Sequence, residues 1–294
     1  MAAYTIENEK LSVTIDAHGA ELSSIYDKEN DRELIWQADA AFWNRHAPVL
    51  FPNVGKYYGG HFTYNGKAYP MGQHGFARDT EFEQIAAGED FVTYRLCADE
   101  ESKKKYPFDF VLEITHRLQG NRLSVEWNVK NVDDKEMYFT IGGHPAFNVN
   151  ILPDTDFEDY SLVFKEGIET LSYILIDAEN GTALTDKTYK LELTNSKYAL
   201  KKDMFDKDAL IFDNGQIEWV GLALPNGKPY IALESKNFPN FGIWSKPGAP
   251  YVCLEPWCGR CDNKGFQGEI SEKPGINTLK AGEVFKKSYD IIVY

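Results

Sequence analysis

Apolar and polar residues alternate with a period of two along much of the chain. Leu11, Val13 and Ile15 alternate with Ser12, Thr14 and Asp16; Phe110, Leu112 and Ile114 with Val111, Glu113 and Thr115; Leu123, Val125, Trp127 and Val129 with Ser124, Glu126, Asn128 and Lys130. Tyr289, Ile291 and Val293 close the chain the same way. Successive strand side chains point to opposite faces, so each run predicts a half-buried β-strand. Between runs lie Asn65-Gly66, Gln119-Gly120-Asn121, Asn180-Gly181, Asn214-Gly215 and Asn226-Gly227. Asn-Gly tolerates the positive φ of a two-residue hairpin, so these predict turns between antiparallel neighbours. Helical pattern is scarce: residues 38–46 with Asp39 as N-cap are the best candidate, and 162–170 reads either way. Many strands and few short helices predict an all-β sandwich or barrel. No linker, low-complexity tract or short repeat divides the 294 residues, so one domain over 1–294 is expected.

Charge narrows the function classes. The formal net charge is −14, whereas nucleic-acid binders need a basic footprint. The longest basic run, Lys103-Lys104-Lys105, follows an acidic stretch. The same acidity disfavours an anionic membrane surface. No apolar run approaches the roughly 20 residues of a membrane span, and the first residues lack a basic n-region and an apolar h-region, so a cytoplasmic location is expected. Aromatics make up 14%; strand propensity accounts for most, and some suit a sugar-binding surface.

Cys253, Cys258 and Cys261 form a C-x4-C-x2-C pattern, with Cys97 apart. A tetrahedral metal would need a fourth ligand. Cys253 lies in an alternating strand, Tyr251-Val252-Cys253-Leu254, so reduced, buried thiols and no metal are expected.

Six histidines sort by context. His18 and His61 lie in turns, His46 precedes Pro48, and His116 continues the buried phase of Phe110, Leu112 and Ile114. His74, in Gly72-Gln73-His74-Gly75-Phe76, and His144, in Gly142-Gly143-His144-Pro145, are flanked by glycine. Glycine permits unusual backbone angles and close approach of a ligand, and loops on a rigid sheet concentrate binding residues. Glu255 is the third feature, closing an apolar strand just before Pro256-Trp257. Proline cannot donate to a central ladder, so the strand is expected to end or bulge there, with Glu255 exposed or aimed into a cleft.

Together these segments resemble the aldose 1-epimerase (galactose mutarotase) superfamily, in its bacterial LacX-like branch. The opening run from Ile6 to Ile25, Pro48-Val49-Leu50-Phe51-Pro52-Asn53-Val54-Gly55, the two histidine segments and Glu255-Pro256-Trp257 all carry the likeness, in order and over nearly the whole length. The resemblance implies a large antiparallel β-supersandwich with an open sugar cleft and no metal or cofactor. It implies catalytic roles for His74, His144 and Glu255, with Glu255 as base, His144 as the acid at the ring oxygen and His74 stabilising developing charge. A sugar-binding aspartate falls on Asp208, with Asp206 as a rival. Where mutarotases carry a substrate-binding arginine, this chain has Gly60, with Lys56 and Arg78 as the nearby cations. Trp43, Phe147 and Trp257 are the expected stacking platforms.

The implied function is an aldose 1-epimerase acting on a free hexose such as galactose or glucose, as a monomer or homodimer. Two rivals stand beside it. One is a hexose-6-phosphate 1-epimerase, with Arg45, Lys56 and Arg78 gripping phosphate. The other is a non-catalytic sugar-binding or sensing module, because fold alone does not fix function.

Overall fold

The alternating runs become the strands they predict in the computed structural model, which describes residues 3–294. Leu11–Asp16 alternates strictly between buried and half-buried positions, and Phe110–Gln119 does so nearly throughout. Two large antiparallel sheets result. The first has nine strands in the order Lys197–Ala199, Ser161–Phe164, Trp219–Ala223, Pro229–Glu234, Val284–Val293, Arg122–Asn131, Phe110–Gln119, Phe91–Cys97 and Glu83–Ala87. The second runs Thr182–Glu192, Thr170–Asp177, Leu210–Asp213, Asn240–Trp244, Tyr251–Cys258, Ile141–Gly143 and Val49–Leu50, with Ala146–Asn148 also paired to Tyr251–Cys258. One apolar core takes side chains from both, among them Leu112 and Val129 of the first and Ile243, Val252 and Leu254 of the second, so the architecture is a β-sandwich.

The turn signals act as expected with one exception. Asn65 and Gly66 both have positive φ and join Tyr64 to its partner Lys67. Gly120, with positive φ, and Asn121 link Gln119 to its partner Arg122. Asn214-Gly215 is a turn but not a hairpin: Leu210–Asp213 lies in the eight-stranded sheet and Trp219–Ala223 in the other, so the chain crosses the sandwich there.

The helix expected at 38–46 does not form. Asp39 caps only a single turn, accepting from the backbone of Ala41, Phe42 and Trp43. Phe42 and Trp43 pack instead against Trp36, Tyr251 and Trp244, and that packing outweighs weak helical propensity. The α-helix that does form is Glu100–Lys105, with an Asp99–Ser102 capping box, acidic residues in its first turn and three lysines in its last, the charge order the helix dipole favours. No helix among the described residues is long and apolar enough to cross a membrane.

Tyr251–Cys258 sets the site. All eight residues are buried. Val252, Leu254 and Cys258 point into the main core, so the period of two sends Tyr251, Cys253, Glu255 and Trp257 to the opposite, outer face. The strand does not end at Pro256. Phe241 pairs with Pro256 on one side. On the other side Ile141 and Gly142 pair with Cys258 and Trp257, and Ala146, Phe147 and Asn148 pair with Cys253, Val252 and Tyr251. The neighbouring strand is therefore interrupted across Gly143-His144-Pro145. Leu254 donates to the Pro145 carbonyl, so by alternation the nitrogen of position 256 faces the same gap. The expected end or bulge at Pro256 does not occur; the interruption lies instead in the neighbouring strand and places His144 there.

Candidate active site

The outer face of the eight-stranded sheet holds a cavity of about 400 Å³. His74, His144, Glu255, Lys56, Arg78, Asp208 and Trp257 all line it, together with Trp43, Arg45, Gln73 and Trp244. Asp206, the rival of Asp208, is not on its wall. Asp208 reaches it from a positive-φ position, its carboxylate accepting from the Ala209 N–H at 2.7 Å.

Phe147 requires a correction. It is fully buried in the main core and does not reach the cavity. Its neighbour Ala146 faces the outer side with Cys253 and Tyr251, so alternation turns Phe147 inward. The cysteines also separate: Cys258, Cys261 and Cys253 fall in three different packing clusters.

Glu255 is 1% exposed, opposite Gly242 in the adjoining strand. Burial, reinforced by the charge of Asp208, pushes its carboxyl well above the usual range, while the nearby Trp257 indole pulls the other way. Its Oε2 lies 3.3 Å from Nε2 of His144 yet has no aligned hydrogen-bond partner. Burial, with the charges of Arg78 and Arg45, holds His144 down at about 3. The His144 ring packs against two indoles, 4.8 Å from Trp43 and 5.8 Å from Trp244 between centroids. These indoles strip water from the pair and so disfavour charge on either member.

His74 is held by backbone. Its N–H donates to the Gly55 carbonyl at 2.8 Å, and the Gly55 N–H donates to its Nδ1 at 3.0 Å. Because Nδ1 accepts, the proton of the neutral ring sits on Nε2. Burial and neighbouring His144 hold its pKa well below the ordinary histidine value, so the ring is a neutral Nε2–H donor. Its ring stands 5.6 Å from His144 and nearly perpendicular to it. Gly55 is required here: a Cβ would lie 2.5 Å from Cβ of Cys261, and its φ is +67°.

Trp257 fits because two glycines make room. A Cβ on Gly242 would stand 2.3 Å from its ring and one on Gly142 2.5 Å. The expected arginine position, Gly60, is not on the cavity wall; Arg45, Lys56 and Arg78 are. Arg45 is tied to Asp79 at 2.7 Å, and Arg78 donates to the Gln73 carbonyl at 2.8 Å. Burial and the charge of Arg45 lower Arg78 to about 10, still cationic at neutral pH.

The aldose 1-epimerase family model matches residues 2–291. The chain belongs to the aldose 1-epimerase family. Protein LacX of Lactococcus lactis subsp. lactis, plasmid and chromosomal, is 32% identical over 296 residues, with 98% of each chain covered. A galactose mutarotase related enzyme from Lactobacillus acidophilus superposes with a TM-score of 0.94 at 35% identity, covering 100% of this chain and 97% of that one. A galactose mutarotase-like protein from Lactobacillus casei gives 0.90 at 33%, with both chains covered in full. The fold of this aldose 1-epimerase family member is therefore the galactose mutarotase-like sandwich.

Trp244 went unnoticed in the sequence. It follows the alternation of Phe241-Gly242-Ile243, whose inward members are Phe241 and Ile243, and that phase would have placed it on the outer face beside Gly242.

Proposed function

We propose that the protein is an aldose 1-epimerase that interconverts the α and β anomers of a free hexose such as galactose or glucose. The observation that carries this reading is the buried His144–Glu255 contact, 3.3 Å long, with an unpartnered carboxylate oxygen. Anomerisation needs a base at the anomeric hydroxyl and an acid at the ring oxygen, and this pair supplies both.

The pair carries one proton between its members. In the reactive form Glu255 is carboxylate and His144 is imidazolium. Glu255 takes the O1 proton, C1=O forms as the C1–ring-oxygen bond breaks, and His144 gives its proton to the ring oxygen. The result is a neutral acid and a neutral imidazole, the state favoured by a raised carboxyl and a lowered histidine. Rotation about C1–C2 and reclosure on the other face return both protons, so no net proton is exchanged. The Nε2–H of His74 donates to the ring oxygen or a neighbouring hydroxyl, stabilising charge as it develops. Trp43, Trp244 and Trp257 offer faces to the apolar side of the sugar, and Asp208 and Arg78 reach its hydroxyls.

A second reading has its own support: Arg45, Lys56 and Arg78 line the same cavity, a set that suits a sugar carrying a 6-phosphate. Polarimetry of freshly dissolved α-galactose, α-glucose and α-glucose 6-phosphate separates the readings. Acceleration with the free sugars supports the first, and acceleration with the phosphate alone supports the second. A heat of sugar binding without acceleration leaves a binding module.

A further inference from the structure

Cys253 precedes Glu255 by two residues in one strand, so both side chains leave the same face. One donor atom from each of His144, Cys253 and Glu255 lies within 4.8 Å of the other two, and all three residues are buried. Cys253 has no task in the proton transfers and does not line the sugar cavity. Oε2 of Glu255 is buried without an aligned hydrogen-bond partner, and leaving a buried polar atom unpaired is costly.

We propose that His144, Cys253 and Glu255 form a binding site for a thiophilic divalent cation of the Zn2+ or Cd2+ type, which competes with the sugar. A tetrahedral zinc, with bonds of about 2.0 Å to N and O and 2.3 Å to S, sets its donors about 3.3–3.7 Å apart. The His144–Glu255 separation of 3.3 Å already falls there, and small side-chain rotations bring in the sulfur. Sulfur and imidazole donors favour zinc over magnesium or calcium. On binding, the Cys253 S–H bond breaks, an S–Zn bond forms and the proton leaves to buffer, as does any proton on Glu255. One thiolate and one carboxylate then balance the 2+ charge, as a buried site requires. A bound cation occupies the groups that exchange protons with the sugar, so it stops turnover; that consequence alone rests on the epimerase reading.

The test uses the whole protein, stripped of metal with chelator and titrated with Co2+ as an absorbing stand-in for zinc. The expected result is a thiolate-to-cobalt charge-transfer band saturating at one equivalent, erased by Zn2+ and weakened by saturating sugar. Cys253→Ala abolishes the band, and its sugar turnover stays close to wild type while losing zinc sensitivity. If Cys253→Ala fails to fold, Cys253→Ser keeps the volume with a far poorer zinc ligand and is expected to lose the band equally. A wild-type protein with no band, or a band that survives in the folded variant, overturns the site. A cobalt band in a protein that never accelerates anomerisation leaves the site standing and removes the epimerase reading instead.

Discussion

The nitrogen of Pro256 faces the gap that His144 makes in the neighbouring strand. A proline inside a fully buried strand ordinarily leaves a carbonyl across the ladder without its donor. Here the opposite strand is broken at Gly143-His144-Pro145, so no rung is lost. The interruption frees His144 to turn onto the outer face, where it meets Glu255 one position before the proline. Glu255→Gln keeps the shape and removes the proposed base. Its kcat is expected to fall about 10²–10⁴-fold with KM little changed, measured by polarimetry across sugar concentrations.

Gly242 holds space for Trp257. Gly242→Ala adds a methyl 2.3 Å from the indole, and overpacking of this kind costs about 1–3 kcal/mol. Urea denaturation should show that loss, together with a higher KM as the indole is displaced. Trp257→Phe in the same chain should recover part of the stability. A double-mutant cycle with no coupling would contradict the packing account.

His116 sits between the sheets with no partner for Nδ1, and burial lowers it to about 3 from 6.5. Between those values the unfolded chain binds a proton that the folded chain refuses. Stability is therefore full above about pH 6.5 and falls as the pH drops toward 3, by about 2–3 kcal/mol per such histidine at pH 4.5. His144, also held at about 3, contributes in the same direction. His116→Leu should flatten the acid limb of stability against pH below 6.5, and an unchanged slope would refute the assignment.

Lys273 and Asp262 form a buried ion pair at 2.6 Å, and Asp262 also accepts from the backbone of Tyr58. Lys273→Met leaves that carboxylate uncompensated, with an expected cost of about 3–5 kcal/mol. Lys273→Met combined with Asp262→Asn should cost markedly less, read by chemical denaturation.

Much of this architecture was legible in the sequence because period-two alternation reports burial directly. The same alternation, carried through Tyr251–Cys258, also specifies which face Glu255 and Trp257 share. The failures have physical causes. Phe147 fails as a stacking platform because it follows the outward-facing Ala146, and one residue along a strand reverses the face. The segment 38–46 carried helix-compatible spacing, yet its aromatics are claimed by Trp36 and Tyr251. The clamp of Gly55 on His74 is a contact between residues nineteen apart, which no local pattern reveals. The short helix at Glu100–Lys105 was missed because it buries no residue and so carries no apolar period; its signals are Asp99 and its ordered charges.

In the proposed reaction the His144–Glu255 pair drives exchange at C1. Saturation transfer between the α and β anomeric protons of galactose or glucose, at equilibrium in D2O, tests it most directly. Transfer of saturation is expected with wild-type protein, loss of that transfer with Glu255→Gln, and no deuterium at C1 or C2, because ring opening breaks no C–H bond. Exchange no faster than in buffer for wild-type protein that binds the sugar, or deuterium appearing at C2, would contradict it.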